Sequence, residues 1–264
     1  MSTTPLTFRM AEEPDMSDST ARGACAHGTP GGPGDALVEV SGLTMSYGVV
    51  RALDGLDMTL LPGRIVGLLG ENGCGKTTLL KILAGVLSDY SGDVRIAGHA
   101  PGPESKALVS FLPDTSFLPD SARVTYCLGL YDDFFADFQP EKARDLIGFF
   151  GLSETSRLKE MSKGMREKVQ IALAMSRDAR VFLLDEPISG VDPAARDLIV
   201  DGIVRNLSED ALLLISTHLV HDLEPILDAA VLMRHGRVLL QGDADDLRQH
   251  HSASLDQIFK ETYR

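Results

Sequence analysis

The segment Gly70-Glu71-Asn72-Gly73-Cys74-Gly75-Lys76-Thr77 has the spacing G-x-x-x-x-G-K-[ST], and those residue types suit one kind of chemistry. Glycines let backbone N–H groups wrap a β-phosphate, a helix starting where the loop ends adds positive potential, the lysine reaches the β- and γ-oxygens, and the threonine hydroxyl can ligate Mg²⁺. Farther along, Val181-Phe182-Leu183-Leu184 runs into Asp185 and Glu186. Consecutive side chains on a strand point to opposite faces, so the two carboxylates are expected to do different work. Asp185 would hold Mg²⁺ through water and Glu186 would orient and deprotonate an attacking water. Alone, the pair would read as an acidic helix cap before Pro187; downstream of a phosphate loop it reads as hydrolytic machinery.

The elements that must position these groups can be read from punctuation and period. Residues 1–36 are rich in Gly and Pro with no hydrophobic period and are expected to be a disordered tail. Order is expected from Leu37, where LVEVSGLTMSYG alternates, with a second strand over Leu56 to Leu61 and a third, Arg64 to Leu69, after the Pro62-Gly63 turn. Leu79, Leu80, Ile82 and Leu83 then change the period to helical. The middle of the chain, from about 114, is aromatic-rich and helical (Tyr126 to Phe135, Ala143 to Phe150), broken by Pro119, Pro140 and Gly151, and reads as an insertion. A strand over Leu108 to Leu112 precedes it. Val181 to Leu184 and Ala211 to Ser216 are continuous apolar runs of the kind buried on both sheet faces. Between them Asp192 and Pro193 give an N-cap and first-turn proline, and upstream of both runs Ser162 reads as the N-cap of a helix through Ser176. The pattern predicts a mostly parallel, covered α/β sheet, followed by a hairpin, MRHGRVLLQG, and short helices from about Ala244 and Ser254.

Composition narrows the function. The 264 residues carry 25 Lys+Arg against 38 Asp+Glu, a net charge of −13, which argues against a nucleic-acid partner held by counterion release. The longest aliphatic run, Ala211 to Ile215, is far short of the ~20 apolar residues of a membrane span. Three cysteines, Cys25, Cys74 and Cys127, form no C-x-x-C pair, and no secretory h-region precedes the ordered part, so a reducing, cytoplasmic setting is expected.

With these motifs in place, residues 37–242 resemble the nucleotide-binding subunits of ATP-binding cassette (ABC) transporters. Met161-Ser162-Lys163-Gly164-Met165 stands where that family has its signature, Ser189-Gly190-Val191-Asp192 looks like its D-loop, and Ser216-Thr217-His218 like its switch-histidine segment. Tyr47 lies upstream of the phosphate loop as the family's adenine-stacking aromatic does. The resemblance implies a RecA-like P-loop core with an antiparallel β subdomain and an inserted α-helical subdomain over about 114–178. It implies ATP as substrate, with contacts from Tyr47, Gly70, Asn72, Gly73, Cys74, Gly75, Lys76, Thr77 and Thr78, and from Ser162 and Gly164. Catalysis would fall to Glu186 and His218, and Mg²⁺ to Thr77, Asp185 and Asp114.

Two positions depart from the family pattern. The Q-loop glutamine is replaced by Asp114, which can approach Mg²⁺ through water but cannot donate hydrogen bonds as an amide does. The signature has Lys163 and Met165 in place of Gly and Gln. Residues 243–264, with Ser254-Leu255-Asp256-Gln257-Ile258-Phe259, resemble the helical tail of ABC-2-type export systems. The implied protein is the ATPase of an exporter, acting as a homodimer or with a related subunit. It would lie on the inner face of the cell membrane, held there by separate transmembrane permease subunits. The alternative, a soluble ABC ATPase working on ribosomes or DNA, would be expected to carry two cassettes in one chain or a coiled-coil insertion.

Overall fold

Two apolar clusters share the same strands. Val181, Leu183, Leu212 and Leu214 face one cluster while Phe182, Leu184, Leu213 and Ile215 face the other, and all are fully buried. Strands covered on both faces belong inside a parallel sheet with a layer on either side. The computed structural model describes residues 36–263; the tail expected over 1–36 lies, but for Ala36, outside them. In chain order the elements are β1 (Val38–Tyr47), β2 (Val50–Leu60), β3 (Ile65–Leu69), α1 (Lys76–Leu83), β4 (Ser91–Ile96), α2 (Pro103–Leu108), β5 (Val109–Leu112), α3 (Val124–Phe134), α4 (Pro140–Phe149), α5 (Lys163–Met175), β6 (Val181–Asp185), α6 (Pro193–Asn206), β7 (Leu212–Thr217), α7 (Val220–Leu223), β8 (Ala229–Arg234), β9 (Arg237–Asp243), α8 (Ala244–His251) and α9 (Leu255–Thr262).

Six strands form one sheet in the order β5-β6-β7-β3-β8-β9, parallel except for β9, which returns antiparallel to β8. The other three, β2-β1-β4, form an antiparallel sheet that packs with α1 against one face of the large sheet. On the other face lie the helices of the insertion, α3 to α5, together with α6 and the last two helices. Since β3 sits between β7 and β8, its C-terminal end delivers Gly70 to the middle of the sheet, and β6 and β7 bring Asp185 and Thr217 to the same edge. Open α/β sheets place their ligands at that edge.

The insertion is anchored to the sheet by a buried cation. Arg177, whose side chain is 5% exposed, donates to both carboxylate oxygens of Asp137 at 2.9–3.1 Å, to the Val109 carbonyl at 2.6 Å, and lies 4.2 Å from the Phe135 ring centre. Both expected helix starts are built as the spacing predicts: Asp192 Oδ1 accepts from the Ala195 N–H, and Ser162 Oγ from the Met165 N–H.

The structure departs from the sequence reading in two places. The second strand begins at Val50 rather than Leu56, because Asp54, Gly55 and Asp57 break the apolar pattern without breaking the strand. Thr44 Oγ1 accepts the Gly55 N–H and Asp57 Oδ1 the Gly42 N–H where the β1–β2 register shifts. The strand expected from Leu108 begins at Val109, since Leu108 closes the short α2. The last two helices start where the sequence reading expects them, and their Leu247, Leu255 and Ile258 are buried in the same cluster as Leu69 and Val220. Among the described residues no helix is long and apolar enough to cross a membrane.

Candidate functional site

At the C-terminal edge of the large sheet the chain leaves β3 through six loop residues, Gly70–Gly75, and enters α1 at Lys76. Gly75 caps the helix with φ +112°, and a Cβ there would stand 2.5 Å from the Ala52 carbonyl, so both conformation and clearance demand glycine. The loop is pinned from the far side, where the Gly236 N–H donates to the Cys74 carbonyl at 2.9 Å. Cys74 is buried, which pushes its thiol up from the usual value, and its own N–H is held by the Glu71 carbonyl. Lys76 is 5% exposed and folds back on the loop: Nζ donates to the Gly70 carbonyl at 2.7 Å and the Glu71 carbonyl at 3.2 Å, and stands 3.7 Å from Glu186 Oε1.

The two carboxylates do separate, and the cause is sharper than strand alternation. Asp185, the last residue of β6, is fully buried and takes the Ser216 hydroxyl on Oδ1 at 2.5 Å. Glu186 then adopts a left-handed backbone, φ +52°, with its N–H on the Ser216 carbonyl. That turn throws its side chain toward the opening, where Oε2 meets His218 Nδ1 at 2.9 Å. Burial pushes the Asp185 carboxyl up, and the hydroxyls of Ser216 and Thr77 beside it oppose the rise. Its Oδ2 is buried without a hydrogen-bond partner. An orphaned anionic oxygen beside a threonine hydroxyl is an oxygen-only donor set, which fits a hard cation such as Mg²⁺. No group of three or more His, Cys, Asp or Glu able to hold a metal occurs among the described residues. Mg²⁺ needs none, since it takes one or two protein oxygens and completes its shell with water and phosphate.

These groups open on a pocket of about 560 Å³ lined by Asn72, Gly73, Gly75, Lys76, Thr77 and Thr78 on one side, Glu186 and His218 on another, and Tyr47 at the mouth, where the ring is half exposed. Asp114 lies on the same wall, with Oδ1 accepting from the Thr115 hydroxyl. Gly70, Cys74 and Asp185 sit behind the lining. Ser162 and Gly164 are not part of it: they stand at the N-terminus of α5, outside their own chain's pocket.

The pocket also gathers residues to which sequence reasoning gave no site role: Val50, Arg51 and Ala52 beyond Tyr47, Glu167, and Lys163 and Ser189 from the signature and D-loop segments. Glu167 is 6% exposed, and its carboxyl is pushed up to about 7 by burial, with Lys163 opposing and Asp114 adding to the rise. A signal for it existed: Glu167 occupies the same face of α5 as buried Gln170, Ile171 and Ala174, a charge inside an otherwise buried stripe.

Comparison with known proteins places this geometry. The family model described as ABC transporter matches residues 53–189. The chain is 30% identical over 232 residues to the Nod factor export ATP-binding protein I of Ralstonia nicotianae, covering 84% of this chain and 72% of that protein. It is 28% identical over 236 residues to the daunorubicin resistance ATP-binding protein DrrA3 of Streptomyces coeruleorubidus, covering 86% and 75%. Among solved structures, an ATP-binding subunit of an ABC transporter superposes with a TM-score of 0.77 at 29% identity, over 86% of this chain and 100% of that one.

Proposed function

The chain belongs to the ABC transporter family, whose cassettes hydrolyse ATP, and on that premise we propose that it is the ATPase subunit of an exporter, driving permease subunits on separate chains. The observation that carries the reading is the meeting of Lys76, Glu186 and His218 at one pocket, 2.9 Å and 3.7 Å apart through the Glu186 carboxylate. Export in particular is supported by the two relatives named for drug resistance and Nod factor export, and places the chain at the cytoplasmic face of a membrane.

In this reading the adenine stacks on Tyr47, and the loop N–H groups with Lys76 hold the β- and γ-phosphates. Glu186 takes a proton from the water attacking the γ-phosphorus while the bond from that phosphorus to the ADP oxygen breaks, and His218 fixes the carboxylate that does so. Bound Mg²⁺, held by Thr77 and Asp185 and approached through water by Asp114, would neutralise charge on the phosphate oxygens. Ser162 caps the N-terminus of α5 and Gly164 lies in its first turn, a site suited to an anion, yet both lie outside their own pocket. Two copies, or one copy and a related subunit, then close head to tail around two ATP molecules, each supplying Ser162 and Gly164 to the other, while Lys163 and Glu167 of the same helix line the pocket of their own chain.

Glu186→Gln keeps the shape and removes the base. Hydrolysis is expected to slow by roughly 10²–10⁴-fold with ATP still bound, and Mg-ATP should then shift the protein to a dimer on size exclusion. Turnover near that of the unaltered protein would sink the assignment.

A further inference from the structure

The last described helix reaches back to the phosphate loop. A Cβ placed on Gly70 would stand 2.4 Å from Cys74 Sγ, 2.7 Å from the Met233 carbonyl oxygen and 3.4 Å from the Tyr263 hydroxyl. The Tyr263 hydroxyl in turn donates to that same Met233 carbonyl. Met233 lies one residue beyond the last β3–β8 pair, Leu69 with Leu232, and beside a register shift in the β8–β9 hairpin. Its carbonyl thus faces the point where the chain turns out of β3, and Tyr263, the C-cap of α9, closes that corner with its hydroxyl.

The tyrosine is itself held. Its ring centre lies 4.6 Å from that of Phe259, and Arg234 lies 5.7 Å from it while donating to the Thr262 carbonyl at 3.2 Å. The other end of α9 is fixed by Glu224, which accepts the Leu255 and Asp256 N–H groups at 2.8 Å and 3.2 Å, a carboxylate placed where a helix dipole favours one. Arg248 donates to Glu224 at 3.1 Å. Glu224 directly follows α7, and so belongs to the segment that leaves His218. One short helix therefore runs from the histidine segment to the base of the phosphate loop.

We propose that Tyr263 is a positioning residue for ATP binding: by holding the Met233 carbonyl against Gly70 and Cys74 it fixes the corner from which the phosphate loop springs, and α9 ties that corner to the segment carrying His218. The inference rests on the reading of Gly70–Thr77 as the phosphate loop.

The test compares the full chain with Tyr263→Phe, which keeps the ring and loses only the hydroxyl, and with Lys76→Ala. Equilibrium ATP binding is measured in the absence of Mg²⁺, and iodoacetamide labelling of Cys74 and Cys127 is followed by peptide mass analysis. Cys127 is fully buried in α3 and reports global opening. Tyr263→Phe is expected to weaken ATP binding by roughly three- to tenfold, the range one hydrogen bond sets, and to speed labelling of Cys74 while Cys127 stays as before. ATP affinity within error of the unaltered chain overturns the proposal, as does labelling of both cysteines accelerated by the same factor, which marks a merely structural loss. If Lys76→Ala keeps its ATP affinity, the phosphate-loop reading fails and the Tyr263 inference with it. If Lys76→Ala loses ATP while Tyr263→Phe binds it normally, only the latter falls.

Discussion

Replacing Glu167 by Gln should stabilise the protein, and more so the higher the pH. The carboxyl is 6% exposed, and its pKa is displaced from 4.5 to about 7, chiefly by burial. With the folded value above the unfolded one, the native chain holds more protons across that interval, so stability falls as pH rises from about 4.5 to 7 and is lowest above it. At roughly 1.4 kcal/mol per pH unit the displacement is worth at most about 3.5 kcal/mol. The amide is close in shape and never ionises. It can still accept from Gln170 Nε2, which donates to Glu167 at 3.4 Å, and its own NH₂ gives the unpartnered Gln170 Oε1 a donor to turn toward. Urea denaturation without nucleotide should therefore show Glu167→Gln ahead by up to about 3.5 kcal/mol at pH 8 and by under about 1 kcal/mol at pH 5. A difference of equal size at both pH values, or a variant weaker than the native chain at pH 8, would refute the account of a desolvated carboxylate.

Other substitutions probe the remaining parts. If Asp114 reaches the metal through water, Asp114→Ala should raise the Mg²⁺ requirement and lower turnover, and Asp114→Asn, which keeps an oxygen acceptor, should be partly active; flat magnesium titrations in both would remove Asp114 from the site. A Cβ at Gly164 would lie 3.4 Å from Val191 Cγ1, ordinary contact, so Gly164→Asp should fold and bind ATP as a monomer yet lose dimer-dependent hydrolysis. Loss of ATP binding by the monomer would show that Gly164 acts within its own chain. Arg177→Leu leaves Asp137 without its cation and should cost about 3–5 kcal/mol in denaturant unfolding. Arg177→Lys should recover little, because one ammonium cannot span the carboxylate and the Val109 carbonyl together.

The parts of the molecule legible in the sequence are those whose signals are local. The loop from Gly70 to Thr77 announces itself because glycine, lysine and hydroxyl must fall at fixed spacing to meet one phosphate group, and β6 and β7 because strands buried on both faces are apolar without interruption. Asp192 and Ser162 are readable as helix starts for the same reason. Less visible is whatever depends on contacts distant along the chain. Val50 to Gly55 lie outside the strand expected over Leu56 to Leu61, yet they belong to β2, where Asp57 accepts a backbone N–H from β1. The role of Glu167 turns on what covers α5, and Tyr263 gains meaning only where Met233 and Gly70 come within reach of it. The separation of Asp185 from Glu186 follows from a single positive φ that alternation does not contain.

Lys76 has one further consequence. Its ammonium has already left the solvent and leans on two carbonyls of its own loop, with Glu186 as a nearby counter-ion. A triphosphate bound at this loop, as proposed, would replace neutral carbonyl oxygens around this amine with anionic ones. The side chain proposed to grip the nucleotide is thus the same one that ties the end of its loop back to the beginning.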